Sequence, residues 1–207
     1  KKMDEEWHTL FLIGIYTGLR LGDCCRLNWS QINIAEGVIQ VVPQKTKRHH
    51  QRLVTIPIHP ALGQALLVEQ QVYNNKRAGG VGTEAHAVRM EQQAYDNKMM
   101  VGPVLPGIAE MYRNSRCRVA DRLSKIFKAA NIQTSVKLEG RKHRTPEATF
   151  HSLRHTFVSF AANAGVPLHI VQSIVGHEST AMTRHYYHAN LSVLQQAVHA
   201  IPTVIED

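Results

Sequence analysis

Between Thr149 and His188 the chain gathers His151 and Arg154, then Gly176-His177, then Tyr186-Tyr187. Two imidazoles, a guanidinium and a phenol in one stretch are suited to attack on a phosphate. The phenol is a nucleophile, the fixed positive charge suits the non-bridging oxygens, and the imidazoles can move protons. Two further groups lie upstream. Thr17-Gly18-Leu19-Arg20-Leu21-Gly22-Asp23 adds a second guanidinium with a carboxylate three residues on, and Gln44-Lys45-Thr46-Lys47 adds ammonium groups. Arginine suits charge stabilisation because its planar paired donors match phosphate oxygens and stay charged at any working pH.

The totals of the chain favour the same partner. Of 207 residues, 24 are Lys or Arg and 16 are Asp or Glu, for a formal net charge of +8 and a pI near 9.6. In a compact domain such an excess favours a polyanion, with nucleic acid as the first candidate. The length fits one domain with a substantial core. Three cysteines, with Cys24 and Cys25 adjacent, make no disulfide framework, so a reducing interior is expected. No apolar run reaches the roughly 18 residues that span a bilayer, and Lys1-Lys2-Met3-Asp4 does not open a signal peptide. A soluble, cytoplasmic protein with no membrane partner is the expectation. Glu5 to Tyr16 reads as an apolar helix from the very start, like a piece cut at a domain boundary.

The elements that must position these groups are also predicted by pattern. Leu10, Phe11, Ile13, Ile15 and Tyr16 are too dense for a surface helix and predict a core helix ending at Thr17-Gly18. A second short helix is expected from Arg20 to about Asn28, with Leu21 and Leu27 turned inward. The β-branched runs at Ile32–Ile34, Val38–Val42 and Leu53–Ile58 predict a three-stranded antiparallel sheet. Its second link, from Pro43 to Arg52, is a hairpin with a basic tip. Pro60 to about Tyr73 and Cys117 to Ala130 read as helices, and 74–100 reads as a variable insertion. Thr149 is a suitable N-cap for the helix that carries His151 and Arg154. Gly165-Val166-Pro167 breaks that helix, Leu168 to Val175 starts another, and 191–201 forms a last amphipathic helix.

Taken together, Thr17 to Asp23, Lys45, His151 to Arg154, Gly176-His177 and Tyr186 resemble the catalytic set of the tyrosine recombinase family, the phage integrases and Xer-like site-specific recombinases. The resemblance implies a role for each residue. Tyr186 would attack phosphorus and hold the DNA 3′ end as a phosphotyrosyl ester, with no ATP, metal or other cofactor. Arg20 and Arg154 would hold the non-bridging oxygens, His177 would add a hydrogen bond, and His151 would act on the tyrosine proton. Lys45 would protonate the departing 5′ oxygen, and Asp23 would orient a neighbouring cationic or imidazole side chain. Asp23 stands where the family more usually has Glu. Tyr187 offers a second phenol, but the family's tyrosine follows the Gly-His histidine by nine residues, which selects Tyr186. Lys47 is an alternative to Lys45, whose Gln-Lys-Thr context resembles the family segment.

The resemblance covers nearly the whole chain and is weakest over 74–100. It implies an α+β, mainly α-helical catalytic-domain fold with a small three-stranded antiparallel sheet, in which 1–207 is a single catalytic domain lacking the family's N-terminal core-binding domain. The implied function is site-specific recombination of double-stranded DNA, integrating or excising a mobile element or maintaining a chromosome. Subunits would form a homotetramer on paired sites by exchanging the C-terminal helix. The apolar stripe Leu191, Leu194, Val198 and Ile201 suits either that exchange or packing on the chain's own core. Lys47, Arg48, Arg141, Lys142 and Arg144 would contact the DNA backbone and set position rather than sequence.

Each piece has an ordinary reading when taken alone. His151 and Arg154 fit a capped helix start, and His177 fits a helix C-terminus where an imidazolium is favoured. Tyr186 and Tyr187 fit packing, Arg20 and Asp23 a surface ion pair, and Cys24 and Cys25 the inside of a helix. The histidine pairs match no zinc spacing, so no metal site is expected. Order and spacing together favour the catalytic reading. Two rival functions remain: a nicking-closing enzyme of the type IB topoisomerase kind, and a non-catalytic DNA-binding regulator on the same fold. Loss of Tyr186 or Arg20 would mark the regulator, and both are present.

Overall fold

The structure is a computed structural model that describes residues 2–44, 53–77, 100–137, 139–140 and 145–175. In chain order these form α1 (Lys2–Thr17), α2 (Leu21–Cys24), a 3-10 turn (Trp29–Gln31), β1 (Ile32–Asn33), β2 (Val38–Val41), β3 (Val54–Pro57), α3 (Pro60–Arg77), α4 (Pro106–Asn114), α5 (Arg116–Ala129), β4 (Ser135–Val136), β5 (Thr145–Pro146), α6 (Phe150–Asn163) and α7 (Leu168–Val175). The fold is mainly helical with a small antiparallel sheet, as the sequence predicts.

Helix α1 is the central element. Trp7, Leu10 and Ile13 recur every three residues on one face and are buried, with Phe11 and Tyr16 packed at the edge. Helix α3 packs along α1 through the buried Leu62 and Leu66. The sheet runs β1-β2-β3, with Ile39 opposite both Ile32 and Ile56. Along β2 and β3 burial alternates, so Ile39, Val41, Val54 and Ile56 enter the core.

Two glycines admit α6 to the end of α1. A Cβ at Gly14 would lie 2.6 Å from Phe150 Cζ and 2.8 Å from Leu153 Cδ1, so a larger residue would push α6 away. Gly18 ends α1 at φ +63°, in the left-handed region, with Phe157 and Val175 against it.

Several expectations are corrected. The second helix stops at Cys24 rather than running to Asn28, because Asn28 starts a new turn: its Oδ1 accepts from Ser30 N, while its own N–H donates to Gln31 Oε1. Arg20 does stand at the start of that helix, as its N-cap in extended backbone. The helix that starts at Pro60 reaches Arg77, so Asn74 to Arg77 belong to α3, and Met100 is buried in the core. The remainder of the expected insertion, 78–99, lies outside the described residues, as do 45–52 and the expected helix 191–201. Helix α4 and the β4–β5 pair were not anticipated. Helix α4 depends on a distant residue: the buried Glu6 carboxylate of α1 accepts from Ile108 N at 2.9 Å and Gly107 N at 3.2 Å. An anion placed there meets the unpaired N–H groups and the positive end of the helix dipole.

No helix among the described residues is long and apolar enough to cross a membrane.

Candidate active site

The segment Thr17 to Arg20 is shaped by its own chemistry. Thr17 is fully buried, and its hydroxyl donates to Ile13 O at 2.6 Å and accepts from Leu19 N at 3.2 Å. That hydroxyl ties the last turn of α1 to the chain that leaves it. Gly18 makes the left-handed turn, Leu19 fills the core, and Arg20 emerges at the N-cap of α2 with φ −73° and ψ 151°. Its carbonyl accepts from Asp23 N at 2.8 Å and Cys24 N at 3.0 Å, which starts α2 directly behind the guanidinium.

Arg154 reaches the same place from α6. Thr149 caps that helix, accepting from His151 N at 3.2 Å while its own N–H donates to Ser152 Oγ at 3.1 Å, as expected of this N-cap. Arg154 is 2 % exposed. Its Nη1 donates to Gly18 O at 2.7 Å and its Nη2 to Val175 O. One side chain thus ties the turn before Arg20 to the last residue of α7, which directly precedes Gly176-His177. Burial first, and then the neighbouring charge of Arg20, pull the Arg154 guanidinium down to about 10, with Asp23 and Cys24 acting in the other direction. Two neighbouring guanidiniums disfavour each other's charge, and an oxyanion between them would relieve that repulsion.

Among the described residues, Asp23 meets a backbone N–H and a neighbouring cationic side chain. Its Oδ1 accepts from the backbone N–H of Gln44 at 3.1 Å and lies 3.7 Å from Arg26 Nη2. The carboxylate therefore holds the chain at Gln44, three residues beyond β2 and one residue before Lys45. Among the described residues the ion-pair partner of Asp23 is Arg26, not Arg20.

His151 lies exposed on the first turn of α6, its ring edge-on to His155 at 4.7 Å between centroids. It borders a cleft of about 620 Å³ that Arg20, Gly22, Ser124, Lys128, Ser135 and Thr149 also line. Lys128, on the last turn of α5, is a cation in this cleft that sequence reasoning did not single out. Its signal was present in the spacing of Ala120, Ser124 and Lys128, which share one helix edge. Cys24 and Cys25 are buried, as expected, and burial pushes the Cys25 thiol up to about 12.

The structure thus brings together Arg20, Arg154, Asp23 and His151. Lys45, His177 and Tyr186 lie outside the described residues, as do Tyr187 and the five cations expected to touch DNA: Lys47, Arg48, Arg141, Lys142 and Arg144.

Comparison with known proteins gives a consistent answer. The profile of the Phage integrase family matches residues 2–192. The tyrosine recombinase XerC of Pelobacter propionicus is 26% identical over 181 residues, covering 87% of this chain and 46% of that protein. The integrase of Salmonella phage P22 is 26% identical over 196 residues, covering 91% of this chain and 40% of the phage protein. The chain thus spans less than half the length of these two relatives. In fold it is similar to the Tn1549 transposon integrase, solved in complex with transposon right end DNA. The TM-score is 0.56 at 20% identity, covering 96% of this chain and 60% of that one.

Proposed function

This chain belongs to the phage integrase family, and from that premise we propose that it is the catalytic part of a site-specific DNA recombinase that cuts and rejoins duplex DNA through a 3′-phosphotyrosyl intermediate. The reading rests on one observation. Arg154, buried and bonded to Gly18 O and Val175 O, stands close enough to Arg20 for their charges to interact beside a cleft bordered by His151. Paired guanidiniums of this kind suit the two non-bridging oxygens of a phosphodiester, whose charge grows in the transition state.

The steps balance without a metal or ATP. The Tyr186 oxygen attacks phosphorus, giving up its proton to His151, while the bond to the 5′ oxygen breaks and Lys45 supplies a proton to that leaving group. His177 donates to the phosphate. Rejoining reverses these steps, with the 5′ hydroxyl as nucleophile and Tyr186 as leaving group. Two of the residues outside the described set adjoin backbone that is tied to the site. Lys45 follows Gln44, whose N–H donates to Asp23, and His177 lies two residues beyond Val175, whose carbonyl accepts from Arg154.

In this reading 1–207 is one catalytic domain of a cytoplasmic, DNA-acting enzyme, and a further DNA-binding portion completes a clamp on the duplex. A homotetramer on paired sites, built by exchange of the 191–201 helix, belongs to the same proposal. The test is incubation with nicked suicide duplexes that carry candidate core sites, followed by denaturing electrophoresis and mass spectrometry. The expected product is a protein–DNA adduct that Tyr186→Phe abolishes and Tyr187→Phe spares. Binding of the duplex without any adduct would favour a DNA-binding regulator. Relaxation of supercoils with no joining of two sites would favour the nicking-closing enzyme.

A further inference from the structure

A second cationic cleft lies beyond the C-terminal end of α2, at Arg26. It has a volume of about 470 Å³, and Arg26, Arg113 and Arg116 line it with Pro103, Ala109 and Tyr112. The Tyr112 ring is shared between two guanidiniums, with Arg26 Cζ at 5.4 Å and Arg116 Cζ at 5.5 Å from its centroid. An aromatic face holds guanidinium planes and limits their freedom, so these cations are oriented before any ligand arrives. Among the described residues no carboxylate lines the cleft, and Asp23 lies 3.7 Å from Arg26. Gly22 joins the two clefts: it lines the first, and a Cβ on it would lie 2.7 Å from Tyr112 Oη and 2.9 Å from Arg26 Nη2.

We propose that the Arg26–Tyr112–Arg116 cleft, with Arg113 at its rim, is a docking site for a phosphodiester of the DNA strand that also enters the first cleft. This rests on the reading of the chain as a DNA-acting enzyme and adds to it a phosphate contact remote from the reacting one. The course of α5 favours an extended polyanion over a small free anion. Arg116 opens that helix in the second cleft, while Ala120, Ser124 and Lys128 line the first. At 1.5 Å per residue the span from Arg116 to Lys128 is about 18 Å, the reach of roughly five nucleotides along one strand. A backbone following that edge meets a cation at each end, Arg116 and Lys128.

The test is a fluorescence-anisotropy titration of the chain with labelled duplex DNA over a range of salt concentrations. Arg26→Gln, Arg113→Gln and Arg116→Gln are compared with Lys76→Gln, which removes an exposed charge on α3. Arg113→Gln leaves both ring contacts of Tyr112 in place, so it separates charge from packing. Each cleft variant is expected to lower the slope of log affinity against log salt by about one, while Lys76→Gln leaves it unchanged. Equal slopes for wild type and the Arg26→Gln/Arg116→Gln pair would overturn the docking site and leave the DNA reading standing. A wild-type chain with no salt-dependent duplex binding would remove both. A parallel titration with inorganic pyrophosphate identifies the other source of the same chemistry: binding that the cleft variants weaken, with duplex slopes unaltered, would make the cleft a small-anion site and overturn the proposal.

Discussion

Arg154 carries a charge with 2 % of its surface exposed, and it places two of its donors on backbone carbonyls. Hydrogen bonds from charged donors contribute about 1.5–3 kcal/mol each, and removing the donor orphans two acceptors. Arg154→Ala is therefore expected to lower unfolding free energy by about 3 kcal/mol or more in urea titrations. Arg154→Lys should recover only part, because an ammonium lacks the fork that spans both carbonyls. Next to it, His155 is held below its ordinary value of 6.5 by burial first and then by the charge of Arg154. The unfolded chain then binds more protons than the folded one as pH falls through 6.5, so acidification costs stability in that window. Calorimetric Tm values should drop more between about pH 7 and about pH 5 for wild type than for His155→Gln, and an equal drop would show that His155 is not the cause. For Asp23, the bond to Gln44 N predicts that Asp23→Ala lowers adduct yield by about tenfold while Asp23→Asn, which still accepts, restores most of it. That role was not legible in the sequence. Residue type and spacing carry Arg20, His151 and Arg154 into one neighbourhood, but nothing local says that a carboxylate will turn to a backbone N–H 21 residues away.

At the scale of elements, contact between α1 and α6 decides where the arginines stand. Gly14→Ala would set a methyl 2.6 Å from Phe150 Cζ. Overpacking of this kind costs about 1–3 kcal/mol, and here it also displaces the helix that carries His151 and Arg154, so adduct formation should fall further than stability alone explains. Circular-dichroism melts paired with the cleavage assay separate the two effects. Glu6→Gln should cost about 1 kcal/mol by removing charge from the N-terminus of α4 while keeping an acceptor, and Glu6→Ala should cost more. The elements that sequence made legible are those with their own internal signal: the apolar stripe of α1, the β-branched runs of the sheet, and the Thr149 cap of α6. Helix α4 does carry a start signal in Pro106 and an apolar face through Ile108 and Met111, but its side-chain cap comes from Glu6, about a hundred residues earlier. The two-residue strands β4 and β5 are too short to show any period, and α2 ended early because the Asn28 turn competed for the same residues.

For the molecule as a whole, charge and the order of the motifs favour the same family that the profile match over residues 2–192 gives. The net charge of +8 gave no sign of where cations would cluster, since that depends on how α2, α4 and α5 meet around Tyr112. The Arg154 bridge also constrains descent. A lineage that abandons DNA cutting but keeps this fold has no freedom to discard Arg154, because the same guanidinium joins the end of α1 to the end of α7. Retention of that arginine in a decayed homologue would then report architecture alone. A survey for silenced members should discount it and look to the nucleophile.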